Sequence, residues 1–370
     1  MKGLLFGLCI LAAAQGQTVP EIPYHSQPDL LKLPPDLNFG ETSGVAVNSK
    51  GHIFVFSRSN SATGPAYGAA AAQLFEFDAD GNFMREIGKG LYAWSFAHTV
   101  RIDKDDNIWC VDKGSNMIIR FNPEGHVTMV FGRKQEASDV ARPPDKEGPP
   151  PKHVDGMFNQ PTDIAWNAEG DMFISDGYVN SRVAKIDRNG DWVKSWGEAG
   201  QGPSQFKLPH AIAVDAQGQV YVADRANARI QVFDADGKFL RQIVIHVPAP
   251  AGARPAIGYQ APPPDNAPPG SNLSYRPGAP AGLCITPGPN TPGSNTSSSN
   301  QVMYVSDLYP GRIYKLTLDG KVVGMLGKSG KQLGQFGAIH QLACPSENVL
   351  YIAELLNWRV QKLILEPGRR

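Results

Sequence analysis

The sequence is poor in cysteine and has no excess of charge of either sign. Its 370 residues include four cysteines, and 35 lysines and arginines balance 35 aspartates and glutamates. This balance argues against a nucleic-acid partner and against a polybasic membrane patch. Cys110, Cys284 and Cys344 lie outside the N-terminal apolar stretch, and their spacing matches no cysteine-based zinc site. We interpret them as small buried residues, and a Cys284–Cys344 pair remains open.

Long hydrophobic runs are also missing, except for one near the N-terminus. Lys2 precedes an apolar stretch at residues 4–13, and three alanines at 12–14 resemble a cleavage site. This is the pattern of an export signal, and the stretch is shorter than the ~20 residues that a membrane-spanning helix needs. We therefore expect residues 1–16 to be a signal peptide and the protein to be secreted or periplasmic, without a membrane span.

Glycine and proline are abundant, with 39 and 31 residues, and they favour turns over long helices. One unit of four short apolar strands recurs six times, with DADG, DRNG and PEG turns that are typical of antiparallel hairpins. Four strands in each of six units predict an all-β fold, a six-bladed β-propeller. The first strands of the units begin at Ser43, His98, Thr162, His210, Ala281 and His340.

The propeller is expected to span residues 42–367, and the preceding segment 17–41 is a candidate for closing the ring. Two insertions interrupt the repeats, 133–157 between blades two and three and 247–280 between blades four and five. A further Gly/Pro/Ser/Asn stretch, 286–300, lies within blade five. The concentration of proline argues against regular structure in 247–280, and such loops often cover one face of a propeller.

Acidic and basic residues recur in most blades at fixed positions. Because the repeat itself explains them, we interpret them as hydrogen-bonding groups of the scaffold. The acidic positions end the second strand and the basic ones begin the third: Asp112, Asp176, Asp224 and Asp307, and Arg182, Arg229, Arg312 and Arg359.

Histidine breaks the repeat in an orderly way. The first residue of the inner strand is histidine in blades two, four and six, and another residue in blades one, three and five. Alternate blades of a closed ring of six lie about 120° apart, so the three imidazoles are expected to converge on the axis. Three histidines with an open fourth position are the ligand set of a catalytic zinc site. The pattern therefore predicts that His98, His210 and His340 bind zinc.

Three further residues stand out in the loops that follow the second strands: Arg58, Tyr178 and Arg225. If these loops open on the histidine face, two guanidiniums and a phenol surround the metal. A guanidinium can bind a carboxylate through two hydrogen bonds. Nearby cations favour the phenolate form of Tyr178, which makes it a candidate base.

Motifs in residues 158–233 carry a family resemblance. QPTD, SDGY followed by NSR, WGE, QF followed by PH, and ADR followed by RIQ occur in this order. In order and spacing they resemble the NHL-repeat propeller of the peptidyl-α-hydroxyglycine α-amidating lyases, also called peptidylamidoglycolate lyases, and the likeness extends over about 42–365. The resemblance implies zinc ligands at His98, His210 and His340 and catalytic roles for Arg58, Tyr178 and Arg225.

The resemblance also implies a calcium ion in the central channel. Its ligands would be the backbone carbonyls of Val45 and Val100 and a carboxylate just after the third histidine. That position holds Gln341 here, and a neutral amide supplies no charge to the ion. A methionine of the family, two residues before the third histidine, is replaced by Ala338, which enlarges or reshapes the pocket.

The activity that the resemblance implies is a zinc-dependent cleavage of the C–N bond in an N-acyl-α-hydroxyglycine, which yields a primary amide and glyoxylate. The substrate would be a small molecule or peptide with a terminal carboxylate. Two alternatives remain open, a metal-dependent hydrolase such as a lactonase, and a non-catalytic NHL propeller that binds a partner. Lactonases of this type more often use carboxylate and asparagine ligands with calcium, and the first-strand column contains no such set.

Overall fold

Six four-stranded antiparallel sheets form the blades of a β-propeller in the computed structural model. The structure describes residues 19–58, 72–135, 153–288 and 301–366. It confirms the predicted all-β, six-bladed architecture. The predicted signal peptide, most of the 133–157 insertion and most of 286–300 lie outside the described residues. Within the described ranges, no helix is long and apolar enough to cross a membrane.

Each blade begins with its innermost strand. The first chain strand is β1 (Tyr24–Ser26), and blade one contains β2 (Thr42–Val47), β3 (Ile53–Arg58), β4 (Ala72–Phe77) and β5 (Phe83–Ile87). Blade two contains β6 (Ala97–Ile102), β7 (Ile108–Asp112), β8 (Met117–Phe121) and β9 (Val127–Phe131). Blade three contains β10 (Asp163–Trp166), β11 (Met172–Asp176), β12 (Arg182–Ile186) and β13 (Trp192–Trp196).

A short parallel pair, β14 (Glu198–Ala199) and β15 (Gln205–Phe206), leads into the second half of the ring. Blade four contains β16 (Pro209–Val214), β17 (Val220–Asp224), a 3-10 turn (Arg225–Asn227), β18 (Arg229–Phe233) and β19 (Phe239–Ile243). Blade five contains β20 (Gly282–Ile285), β21 (Val302–Ser306), β22 (Ile313–Thr317) and β23 (Val322–Leu326). Blade six contains β24 (Ile339–Ser346), β25 (Val349–Glu354) and β26 (Arg359–Leu365).

The two ends of the described chain meet in blade six. Strand β1 pairs antiparallel with β26, with Tyr24 opposite Leu365 and Ser26 opposite Leu363. The Tyr24 hydroxyl also donates a hydrogen bond to the Gly334 carbonyl. The outer strand of the last blade therefore comes from the N-terminal segment, which joins the ends of the ring.

Apolar side chains fill every interface between neighbouring blades. The inner strands are buried almost throughout, because both faces of a blade pack against its neighbours. Their buried side chains form a separate cluster at each interface. Trp94 and Trp109, both almost fully buried, are among the largest of these side chains. Burying a large apolar side chain contributes roughly 1.5–3 kcal/mol, so the interfaces supply most of the stability.

The repeated acidic and basic residues are scaffold groups, as the sequence predicts. In blade four the Asp224 carboxylate accepts hydrogen bonds from the Lys207 backbone and from Arg229. The Arg229 guanidinium also donates to the carbonyls of Gly202 and Gln205, at 2.8 Å each. In blade six Glu354 and Arg359 form the equivalent pair. These pairs fix the loops that lead into the inner strands.

The 247–280 insertion has no helix or strand, in agreement with its proline content. It is held on the face of the ring where the second strands end. The Gly278 amide donates to the Asp307 carboxylate at 3.0 Å, and Arg312 donates to the Pro248 carbonyl at 2.8 Å. The Leu273 amide donates to the Ala226 carbonyl. The insertion therefore covers part of this face.

A disulfide joins the inner strands of blades five and six. Cys284 of β20 is bonded to Cys344 of β24, with a Cα–Cα distance of 6.1 Å. Cys110 is a free, buried thiol. The pairing that the sequence left open is thus present.

Replacing Cys284 and Cys344 together with alanine should lower the free energy of unfolding. The two residues are 60 positions apart, and cross-linking a loop of that length removes enough entropy from the unfolded chain to stabilise by about 2–4 kcal/mol. Denaturant titration of the double variant and the parent protein measures the difference. A reductant should destabilise the parent and the Cys110→Ala variant but not the double variant. Equal midpoints for parent and double variant would contradict the prediction.

Candidate metal centre

Each of the three histidines is the extra residue of a β-bulge in an inner strand. The pairing register with the second strand shifts by one residue at His98 in β6, at His210 in β16 and at His340 in β24. A bulge leaves one residue unpaired and re-aims its side chain. The same irregularity occurs at Ser43 in blade one. The backbone thus adopts one conformation at this position in several blades, and only blades two, four and six place an imidazole there.

The structure brings the three imidazoles together on the axis, as the alternation predicts. The ring centroids of His98 and His340 are 4.5 Å apart, and each is 4.9 Å from that of His210. One nitrogen of each ring lies within 4.8 Å of the other two. All three side chains are buried. In the described part of the chain this is the only group of three or more histidine, cysteine or acidic side chains that close together.

A backbone carbonyl of the next blade orients each imidazole. Because a carbonyl oxygen only accepts hydrogen bonds, the shared hydrogen is on Nδ1 and the Nε2 lone pair stays available. The three acceptors are the first-strand residues of the odd blades. His98 Nδ1 donates to Thr162 at 2.6 Å, His210 Nδ1 to Ala281 at 2.6 Å and His340 Nδ1 to Ser43 at 2.7 Å.

Burial and nearby positive charges favour the neutral form of the three imidazoles. Burial is the main cause that lowers the pKa of each histidine well below its ordinary value. Neighbouring cations lower the pKa further, chiefly Arg225 at His210 and Arg58 at His340. The buried Nε2 of His210 has no hydrogen-bond partner among the described atoms. Three neutral imidazoles with oriented second nitrogens fit a first-row transition-metal ion.

Tyr178 lies over the histidine triad. Its hydroxyl is 3.4 Å from His98 Nε2, and its ring meets the rings of His98 and His210 edge to face. Gly177 allows this approach, since a Cβ atom at that position would come within 1.9 Å of the Pro209 carbonyl. The residue before Tyr178 must therefore be glycine for its loop to reach the triad.

The two predicted arginines lie on the same face. The Arg58 guanidinium forms an ion pair with Glu41, donates to the Ala97 carbonyl at 3.2 Å and stacks 3.9 Å from the Phe96 ring centre. The buried Nε of Arg225 has no hydrogen-bond partner in the described structure. The Arg58 guanidinium is thus already bound by other residues of the protein. Arg225 Nε can still donate a hydrogen bond, for example to a ligand.

Lys113 is a site residue that the sequence analysis missed. Its ammonium lies 3.5 Å from the centre of the Tyr178 ring. Burial first, and then the charges of Arg58 and Arg225, lower the pKa of Lys113 from 10.5 to about 8. Lys113 directly follows Asp112 at the end of the second strand of blade two. Arg58 and Arg225 hold the same position of the repeat in blades one and four. Comparing that column across all six blades would have found it.

The residues implied for calcium come together, but their hydrogen bonds do not fit that ion. The Gln341 side-chain oxygen accepts from the backbone N–H groups of Val45 and Val100, at 3.2 and 3.1 Å. Its NH₂ group donates to the Val100 carbonyl at 2.6 Å. A donor therefore occupies the carbonyl that a cation would need. Gln341 instead joins the inner strands of blades one, two and six.

An ion pair links the inner strands of blades two and three, and the sequence analysis did not predict it. Arg101 in blade two contacts both carboxylate oxygens of Asp163 in blade three. Arg101 also donates to the carbonyls of Leu283 and Leu342, and Asp163 accepts from the Ile212 amide. Asp163, the one acidic side chain in the six inner strands, is thus already paired.

Comparison with known proteins supports NHL repeats and the resemblance to amidating lyases. The NHL repeat model matches residues 206–233. Peptidylglycine alpha-amidating monooxygenase of Rattus norvegicus is 32% identical over 228 residues, which cover 55% of this chain and 22% of that protein. A probable peptidyl-alpha-hydroxyglycine alpha-amidating lyase of Caenorhabditis elegans is 29% identical over 220 residues, 54% of this chain and 57% of that protein. The chain thus spans between a fifth and three fifths of these two relatives.

A solved structure shares the fold. The streptogramin B lyase structure superposes with a TM-score of 0.52 and 12% identity, and the match covers 93% of this chain and 97% of that one. At this identity the likeness describes the propeller architecture alone.

Replacing His210 with alanine should remove a bound metal ion, because it deletes one of three converging donors. We expect the purified protein to hold about one transition-metal ion per chain and the variant to bind it at least 100-fold more weakly. Elemental analysis after dialysis measures the content. His126→Ala, at an exposed position, is the matched control and should keep the ion. Equal metal content in the two variants would exclude the triad as the binding site.

Proposed function

We propose that this NHL-repeat propeller is a zinc-dependent lyase that cleaves the C–N bond of an N-acyl-α-hydroxyglycine. The products would be a primary amide and glyoxylate. One observation carries the proposal: three unprotonated Nε2 atoms gather beneath the Tyr178 hydroxyl, which lies 3.4 Å from one of them. The relatives named for α-amidating activity support the same reaction class.

The reaction needs no oxidant and consumes no water, because the carbinol carbon already has the oxidation level of an aldehyde. A zinc ion held by the three histidines would supply a Lewis acid next to the substrate hydroxyl. Tyr178, as phenolate, takes the hydroxyl proton. The oxygen electron pair forms the C=O bond of glyoxylate while the C–N bond breaks, and its electron pair stays on nitrogen. Tyr178 then returns the proton to that nitrogen, which completes the primary amide and restores the phenolate.

The cationic side chains near Tyr178 have two roles, substrate binding and electrostatic stabilisation. Arg225 has an unpaired buried Nε, which suits it to bind the substrate carboxylate. Arg58 is fixed by Glu41 and Ala97, and its positive charge would stabilise negative charge that develops in the site during the reaction. The ammonium of Lys113, on the face of the Tyr178 ring, adds positive charge on the same side.

The two alternative functions have less support. A hydrolase with carboxylate ligands would need a free acidic side chain in the channel, and Asp163 is paired with Arg101. A non-catalytic binding propeller gives no reason to collect three half-buried cations, Arg58, Lys113 and Arg225, near three neutral imidazoles. We therefore favour the lyase.

Replacing Tyr178 with phenylalanine should reduce turnover of α-hydroxyhippurate on the order of 10²–10⁴-fold, since the variant keeps the ring but loses the base. Glyoxylate release under saturating substrate measures kcat, and metal content should remain unchanged. Tyr92→Phe provides the control, because Tyr92 is 69% exposed and should leave the rate unaltered. The same rate for both variants, or none with the metal-loaded parent protein, would refute the assignment.

The alkaline limb of the pH profile should depend on Lys113. Its pKa is lowered to about 8, so above that pH the side chain loses its charge and attracts the substrate carboxylate less strongly. We expect kcat/KM of the parent protein to fall above about pH 8. Arginine stays protonated throughout this range, so Lys113→Arg should move the limb at least about one pH unit higher. Superimposable profiles between pH 6 and 10 would show that Lys113 does not set it.

A further inference from the structure

A small apolar cluster borders the histidine triad on one side. Its buried members are Ala281, Leu308, Ala338 and Leu355. Ala281 is the residue whose carbonyl accepts from His210, and Ala338 lies two positions before His340. The cluster is therefore continuous with the metal centre and not a separate part of the core.

Two aromatic side chains from the 247–280 insertion extend this cluster. Tyr259 and Tyr275 pack against it with their ring centroids 5.5 Å apart. Arg225, Tyr178 and Arg58 all act electrostatically on the Tyr259 phenol, so Tyr259 lies within reach of the site. Burial raises the pKa of Tyr259 to about 12, and this side chain is therefore uncharged at neutral pH.

The insertion is fixed to the ring before Tyr259 and between the two tyrosines. The Leu273 amide donates to the carbonyl of Ala226, the neighbour of Arg225, and the Tyr309 hydroxyl donates to the Ala253 carbonyl. Lys207 also forms a hydrogen bond with the Gly270 carbonyl. The tyrosines are thus presented by an anchored segment.

One column of the repeat divides the face into two halves: the position after Asp112, Asp224, Asp307 and Glu354, which in blade one follows Ser57. It holds Arg58, Lys113 and Arg225 in blades one, two and four, and Leu308 and Leu355 in blades five and six. A substrate with a carboxylate at one end would direct that end to the cationic half. Its other end would then point to the apolar half.

We infer that Tyr259 and Tyr275, together with Leu308 and Leu355, form the subsite for the acyl group, and that the substrate is an α-hydroxyglycine with an apolar acyl group on its nitrogen. This inference rests on the proposed function and adds the substrate class. A benzoyl group or an aliphatic chain buries its surface against the cluster. A charged acyl group would lose its hydration there without gaining a partner.

The test compares glyoxylate release from N-benzoyl-, N-acetyl- and N-succinyl-α-hydroxyglycine. In the parent protein kcat/KM should be about 10- to 100-fold higher for benzoyl than for acetyl, and lowest for succinyl. In Tyr259→Ala the benzoyl advantage should fall below about threefold, while kcat/KM for the acetyl substrate stays within about threefold of the parent value. Tyr259→Phe keeps the ring and should keep the selectivity.

Binding provides a readout independent of turnover. Hippurate and N-acetylglycine lack the hydroxyl group and cannot react, and calorimetry should find hippurate at least about tenfold tighter in the parent protein but not in Tyr259→Ala. Equal benzoyl and acetyl rates, or a Tyr259→Ala variant that slows both substrates alike, would overturn the subsite while the lyase assignment stands. If no substrate releases glyoxylate, the lyase assignment fails, and the substrate class with it. Calorimetry then decides whether the acyl subsite itself exists.

Discussion

One hydrogen bond, repeated three times, controls the centre of this molecule: the imidazole Nδ1 of an even blade donates to the first-strand carbonyl of the following odd blade. It fixes which nitrogen carries the hydrogen, so the other nitrogen faces the axis as a lone pair. It also links blades two and three, four and five, and six and one. The odd blades need only a backbone carbonyl at this position, which explains why serine, threonine and alanine serve there equally well.

Further side-chain hydrogen bonds in the channel link the inner strands, including those of neighbouring blades that no histidine connects. Gln341 joins blade six to blades one and two, and Arg101 and Asp163 connect blades two, three, four, five and six. Gln341 and Asp163 are buried, so their polar groups are costly unless they have hydrogen-bond partners. These side chains therefore cross-link the inner strands through hydrogen bonds and one ion pair.

The sequence predicted the features that depend on its repeats, namely the fold and the convergence of the histidines. Six copies of an alternating strand pattern specify the propeller, and the odd–even distribution of histidine specifies convergence, since symmetry determines where equivalent residues point. It could not predict the bulges at His98, His210 and His340, because register depends on hydrogen bonds between strands. The Arg101–Asp163 pair joins residues at different positions of the repeat, and Tyr259 lies in an insertion outside the repeats. Repeat alignment therefore could not reveal either. The calcium expectation came from resemblance and depended on a single side chain, Gln341, whose hydrogen bonds do not fit that role.

The pairing of β1 with β26 has a consequence for biosynthesis. Blade six consists of three strands from the end of the described chain and one from its beginning, so a ribosome must have made nearly everything before that sheet can be completed. Until then β1 has no strand partner, and its unsatisfied N–H and C=O groups can pair with another nascent chain. Contacts this distant in sequence also form slowly. Assembly of the ring is therefore most vulnerable at its final step, when the molecule is almost entirely folded.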